Sequence, residues 1–385
     1  MKRYLIVAIF LLLSINSATA VTDRPFSDIN RLAIFDTNEK DFSFAVFGDF
    51  RTARRDNPYH QAFEHIIEEL KLIAPHFIIS TGDAYYGYGG SMQRFKNEID
   101  YFVSKTKNLP SPFFNIIGNH ELGGTAEREK LVKERFGNFY GSFDFGGSHF
   151  IALNTEETAK EGTISGEQLS WLEKDLESNK TAANIFVFLH RPLFSAVDPL
   201  LMSGKSFKDK TNRENLHNLF RRYKVKVVFA GHEHLFDDTS KDGVRYIITG
   251  GGGAPLYQAP NKGGFFHYLI VKVKGADVGL EILAPNSLQK KTVSGNNGFE
   301  AKGEIELLNI SHAALQIRNL YFLMPAADAG KFKAKAFSTS KKGEQKEVPA
   351  RIYKVKNNGD GTSTVSVEVE LPANGSLRVV VETDI

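Results

Sequence analysis

Five short apolar runs in the sequence stop in the same way, and that repetition constrains the fold more than any other feature. FAVFGDF ends at Asp49, and FIISTGDAYYG at Asp83, with Tyr86 three residues on. FFNIIGNHE ends at Asn119 and His120, NIFVFLHRP at His190, and VVFAGHEH at His232 and His234. A run of this kind bounded by turn residues reads as a buried strand. Segments of helical period lie between the runs, at residues 59–73, 92–104, 126–135, 166–176 and 212–223. The βαβα alternation predicts an α/β fold with largely parallel strands. Strand-like segments at 244–249, 265–273 and 278–283 follow without helices, so part of the sheet is expected to be mixed. Parallel strands bring their carboxyl ends to one edge, where ligands of open α/β sheets gather. The polar residues that close the five runs therefore converge.

Two aspartates, an asparagine and three histidines suit a pair of borderline or hard cations. Such ions sit about 3.5–4 Å apart and share a carboxylate. The glycines at 48, 82, 118 and 231 let the chain turn sharply and approach the ions closely. Taken singly, each of these residues has a plainer reading, since a lone buried histidine is usually a hydrogen-bonded core residue. His60, His65, His76, His149, His217, His267 and His312 are read that way. Glu121 and Glu233 are read as supports, and the glycines at 250–253 as a tight turn beside the site. Arg51 offers a guanidinium that matches phosphate bidentately, with Arg191 a weaker candidate; a salt bridge in the supporting structure is the alternative for both.

In this order, GD, GDxxY, GNHE, FLHR and GHEH resemble the calcineurin-like metallophosphoesterases, and GDAYY resembles the purple acid phosphatases within them. GEQLSWLEKDL and YIITGGGGAPLY are similar to the family's flanking segments, so the resemblance covers residues 41–284. It implies a four-layer-type metallophosphoesterase β-sandwich flanked by helices. It also implies that one metal is held by Asp49, Asp83, Tyr86 and His234, and a second by Asp83, Asn119, His190 and His232. His120 would act on the leaving group or the phosphoryl oxygens, with Arg51, Asn119 and His120 contacting substrate. The cofactors implied are two metal ions, iron with iron, zinc or manganese. The reaction implied is attack of a metal-bridging hydroxide on a phosphate monoester, as in an acid phosphatase. A phosphodiesterase or nucleotidase shares the ligand set. A binding protein on the same fold without catalysis is the alternative from another class, and the filled ligand positions argue against it. Two departures stand out. Arg51 occupies a place where many family members have histidine, and Tyr86 is either a tyrosinate ligand or a loop aromatic beside a colourless metal pair.

The remainder of the chain sets the context. Residues 1–20, MKRYLIVAIFLLLSINSATA, read as a signal peptide cut after Ala20, which predicts a secreted or periplasmic protein. The apolar stretch is too short to span a bilayer, which needs about 20 residues. There is no cysteine. The formal charge of +3 falls to +1 once Lys2 and Arg3 leave (46 basic against 45 acidic). That balance gives no charge signature for nucleic acid. Residues 21–284 are expected to form the catalytic domain and 285–300 a polar linker. Residues 301–385 should form an all-β sandwich that caps the catalytic domain or contacts a surface or partner. The substrate expected is a small phosphate ester.

Overall fold

The computed structural model describes residues 39–383, apart from 123, 198–205, 208, 328 and 340–343. Residues 1–38 fall outside it, and with them the expected signal peptide. Two mixed sheets pack face to face. The first has the order β11-β10-β1-β2-β3, where β1 is Asp41–Phe47, β2 Phe77–Ser80, β3 Phe113–Asn115, β10 Tyr268–Lys274 and β11 Asp277–Leu283. The second runs β4-β5-β6-β7-β9-β8, where β4 is Gly141–Phe145, β5 Ser148–Ala152, β6 Asn184–Phe188, β7 Val227–Ala230, β8 Phe236–Lys241 and β9 Val244–Thr249. Pairings β1–β2, β2–β3, β5–β6, β6–β7 and β7–β9 are parallel. The hairpin-linked strands at the sheet edges are antiparallel.

The chain's 31 phenylalanines explain why the sheets adhere. Phe42, Phe44, Phe77, Phe150, Phe186, Phe188 and Phe229 fill the space between them, with Phe44 and Phe77 stacked at 5.2 Å. Rings bury large apolar area with few rotamers to lose. Helices cover both outer faces. Helix α1 (Gln61–Ile73) buries Phe63, Ile66, Ile67, Leu70 and Ile73 on one stripe. The His60 side chain caps its first turn, and Ala74 in the left-handed region, followed by Pro75, ends it. Helices α2 (Met92–Thr106), α3 (Asn119–Leu122) and α4 (Ala126–Phe136) lie on the same side. Helices α5 (Gly166–Ser178) and α6 (Lys210–Arg222) back the second sheet. The result is the expected four-layer arrangement.

Two elements differ from the sequence reading. FDDTSK, unread as a strand, forms β8 by pairing with β9. The stretch 285–300, read as a linker, carries β12 (Leu288–Ser294), which pairs with β13 (Lys302–Asn309) and so belongs to the C-terminal sandwich. The other strands of that sandwich are β14 (Leu315–Pro325), β15 (Phe332–Thr339), β16 (Gln345–Val348), β17 (Ala350–Asn357), β18 (Thr362–Leu371) and β19 (Gly375–Thr383). Its sheets have the orders β12-β13-β19-β15-β16 and β14-β18-β17. The sandwich grips the catalytic layers through Glu69, which accepts from the Leu288 amide at 2.6 Å, through Asn319 donating to the Lys71 carbonyl, and through Arg318 against His76. His76 and Ser43 mark the amino ends of the parallel strands, so this contact lies away from the carboxyl ends.

Candidate metal centre

All five chain reversals bring their polar residues to one edge. Asp49 follows β1, Asp83 follows β2, Asn119 and His120 open α3 just beyond β3, His190 follows β6, and His232 and His234 follow β7. Asp49, Asp83 and His232 have φ of 55°, 59° and 68°. Non-glycine residues seldom hold that left-handed conformation, and it clusters at functional sites. Glycine is required at 118 and 231 for another reason. A Cβ at Gly118 would strike the Asp83 carboxylate, and one at Gly231 the Asp49 carboxylate.

Asp49, Asp83 and His234 each direct one ligand atom to a common point, all within 4.8 Å of one another. His234 Nε2 lies 3.4 Å from Asp49 Oδ1. A second group centres on His190 Nε2, which is 3.3 Å from Asp83 Oδ1, 3.1 Å from Asn119 Oδ1 and 3.0 Å from His232 Nδ1. Asp83 thus stands between the two groups. The tautomers are fixed from behind. His190 Nδ1 faces the Thr81 carbonyl at 2.8 Å and His234 Nδ1 the Pro255 carbonyl at 2.6 Å, so both Nε2 atoms present lone pairs to the site. Backbone carbonyls orient metal-binding histidines in this manner.

Charge in the site is tightly balanced. Asp83 is buried, which opposes ionisation, yet His120, His190, His232 and Arg51 surround it and hold it well below the usual carboxylate range. Burial pulls His190 down, but the carboxylates of Asp83, Asp49 and Glu156 outweigh it and raise it overall. His232 is lowered by burial, His190 and Arg191. Burial also lowers His120, whose Nδ1 faces the Tyr86 carbonyl while its Nε2 points toward Asp83 at 3.7 Å.

Two supporting carboxylates behave as the sequence suggested. Glu121 is fully buried and accepts from the amides of Asp83, Ala84 and Gly118, at 3.0, 2.6 and 2.8 Å. It ties the GD loop to the GN loop. Glu233 turns away, to the Ala196 amide and the Ser206 hydroxyl. The glycines at 250–253 form a turn whose amides at 250 and 252 bond the carbonyls of Leu235 and Gly48. Arg51 Nε lies 3.9 Å from Asp83 Oδ2. The Tyr86 ring meets the Arg55 guanidinium at 5.2 Å and the His120 ring at 6.1 Å.

Two residues, Glu156 and Tyr257, escaped sequence reasoning, while Tyr88, read as either lining the pocket or packing a loop, stands at the site. Glu156 grips Arg191 in a buried bidentate pair, with Nε–Oε1 of 2.8 Å and Nη2–Oε2 of 2.7 Å. Tyr88 accepts from Asn119 Nδ2 at 2.9 Å and meets His120 edge-on at 4.6 Å. Tyr257 stacks on His234 with ring centroids 4.0 Å apart, and burial together with Asp49 pushes its hydroxyl up to about 12. Tyr257 sits in the GAPLY stretch that closes the glycine turn, a segment noted as a flank and not as part of the site.

Two groups of inward-facing ligand atoms at one edge of a four-layer α/β fold define a candidate metal centre. Residues 42–236 match the family described as calcineurin-like phosphoesterase, and the chain belongs to that family. It is 30% identical over 170 residues to rat (Rattus norvegicus) serine/threonine-protein phosphatase CPPED1, covering 42% of this chain and 54% of that protein. It is 26% identical over 226 residues to Arabidopsis thaliana probable inactive purple acid phosphatase 27, covering 50% and 35%. The chain therefore spans about a third to a half of the length of these relatives. Purple acid phosphatase PPD1 from yellow lupin (Lupinus luteus) shares the fold, with a TM-score of 0.51, 18% identity, and 71% and 52% of the two chains covered. A dimetal phosphatase from Danio rerio does too, with a TM-score of 0.50, 14% identity, and 63% and 96% covered.

Proposed function

We propose that this chain hydrolyses phosphate monoesters at a two-metal centre and acts after export. The observation that carries the reading is the shared position of Asp83 between two groups of inward-facing ligand atoms. The donor set fits a metal pair on its own terms. Asp49 Oδ1 is buried and, among the described residues, has no hydrogen-bond partner. Such an atom is costly to bury unless a cation completes it. Two imidazole nitrogens facing each other at 3.0 Å need either a shared proton or an ion. Asp49, Asp83 and His234 would hold one ion; Asp83, Asn119, His190 and His232 would hold the other. Tyr86 would have to leave Arg55 and His120 to join the first, so its contacts favour a colourless pair.

When bound, the ions would supply Lewis-acid stabilisation of phosphoryl charge and acidify a water. The chain's own residues do the rest. His120, with Nδ1 held by the Tyr86 carbonyl, would give a proton from Nε2 to the departing ester oxygen only from its protonated form, which burial disfavours and Asp83 favours. Arg51, partly exposed beside Asp83, draws in the phosphate dianion. Glu121 keeps the Asp83 and Asn119 loops in register. Export rests on the pattern of the first twenty residues.

Elemental analysis of the purified protein tests the reading, joined to hydrolysis of p-nitrophenyl phosphate before and after Asp83→Asn. About two metals per chain and activity lost in the variant support it. No bound metal and no turnover with added manganese, zinc or iron would replace it with a binding protein on this fold. Faster turnover of bis(p-nitrophenyl) phosphate would replace the monoesterase with a diesterase.

A further inference from the structure

Asn119 differs from the other proposed ligands in that turning its side-chain end over exchanges an acceptor for a donor. A carboxamide carries an oxygen on one side and an NH2 group on the other, and only the oxygen can bind a cation. Asn119 Oδ1 lies 3.1 Å from His190 Nε2, while Nδ2 donates to the Tyr88 hydroxyl at 2.9 Å. With Nδ2 committed to the phenol, the oxygen is the atom turned toward the second ligand group.

Tyr88 lies just past the GDAYY motif, on a loop that is held from outside the site. Arg128 of α4 donates to the Gly87 carbonyl at 2.8 Å and to the Gly89 and Gly90 carbonyls at 2.5 and 2.8 Å. Arg55 donates to the Gly89 carbonyl at 2.6 Å and pairs with Glu98 at 2.7 Å. The second oxygen of Glu98 accepts from the Gly87 amide at 2.8 Å. Bonds assisted by charge are the stronger kind, so the backbone on both sides of Tyr88 is fixed. The Tyr88 ring gains a further contact, edge-on to His120 at 4.6 Å. The terminal torsion of an asparagine is broad and roughly two-fold. Without the phenol, the Asn119 amide is free to turn its NH2 group toward His190, where it would repel a cation.

We propose that the 87–90 loop is a brace that sets Asn119 for the second metal ion, with Tyr88 as the positioning residue that holds Nδ2 and leaves Oδ1 to the ion. This rests on the dimetal reading. In this role Tyr88 acts through Asn119 and touches neither ion itself.

The test is titration of zinc against a competing chelator in wild type, Tyr88→Phe, Asn119→Ala and the double variant. Phenylalanine keeps the edge-on ring contact and removes only the hydroxyl. Wild type should show two dissociation constants. Tyr88→Phe should raise one of them about 10- to 100-fold, the range for supporting partners of ligands, and leave the other at its wild-type value. Asn119→Ala should weaken the same ion. The double variant should bind that ion no more weakly than Asn119→Ala alone, because a residue that acts through Asn119 then has nothing left to hold. Unchanged constants in Tyr88→Phe overturn the brace. So does equal weakening of both ions, or a further loss in the double variant, since either shows Tyr88 acting by another route. If wild-type protein binds no zinc, the dimetal reading fails first and the brace falls with it; that outcome is visible before any variant is made.

Discussion

His190 Nε2 lies 3.3 Å from Asp83 Oδ1, with Asn119 Oδ1 at 3.1 Å from the same nitrogen. A carboxylate from one sheet and an imidazole from the other thus meet across the sandwich. Asp83→Asn removes the negative charge that the two ligand groups share. It should abolish hydrolysis of p-nitrophenyl phosphate and remove at least one metal per chain, as read by elemental analysis. Retention of both metals would show that Asp83 does not bridge.

Glu121 is the next test, since it touches no substrate. Its two oxygens collect three backbone amides from the two loops that present Asp83 and Asn119. Glu121→Gln turns one acceptor into a donor that faces N–H groups. Metal affinity should fall about 10- to 100-fold, the range for supporting partners of ligands. A competitive chelator titration measures it.

The Glu156–Arg191 pair is buried beside His232, with Arg191 Nη1 3.5 Å from its Nε2. Glu156→Gln leaves a guanidinium without its counter-charge next to a metal-binding histidine. Breaking a buried pair from one side costs about 3–5 kcal/mol. The variant should unfold at distinctly lower denaturant, whereas an exposed pair such as Lys130–Glu134 should be nearly silent when broken.

Glu69 makes stability depend on pH. It sits on α1, 2% exposed, against the start of β12, and burial raises its carboxyl from 4.5 to about 7. The folded state therefore keeps a proton that the unfolded chain releases near pH 4.5. Between pH 4.5 and 7 the unfolded state binds fewer protons, so stability falls as pH rises. The loss approaches about 3 kcal/mol above pH 7. Glu69→Gln removes that slope. Its denaturation midpoint should exceed wild type at pH 8 and converge with it near pH 4.5. Parallel profiles at all pH values would show that Glu69 ionises as freely in the fold as outside it.

The parts of this molecule that were legible in sequence are those where local pattern and tertiary role coincide. VVFA must be a strand because nothing else buries four such residues, and GHEH must sit at its end. The helices were legible too: QAFEHIIEELKLI places its apolar residues on one stripe, and the structure ends it at Ile73 as read. FDDTSK and LQKKTVS were missed because edge strands carry charge to discourage further pairing; their strand character comes from partners β9 and β13, not from their own residues. Glu156 and Tyr257 were missed for a different reason. Glu156 meets Arg191 across 35 positions, and Tyr257 reaches His234 across 23 positions that include β8 and β9. Neither residue type announces such a role alone. Tyr86 was read as either a tyrosinate ligand or a loop aromatic, and its ring meets Arg55 and His120.

The C-terminal sandwich meets the catalytic layers at Glu69, Lys71 and His76, near the amino ends of the parallel strands. The candidate metal centre and the contact with the sandwich therefore lie at opposite ends of the parallel strands. Whatever the sandwich is fastened to, whether a solid support, a fused label or a neighbouring surface, the mouth faces the other way. A chain immobilised through its C-terminal sandwich should present its pocket to solution with the same access as a chain diffusing freely.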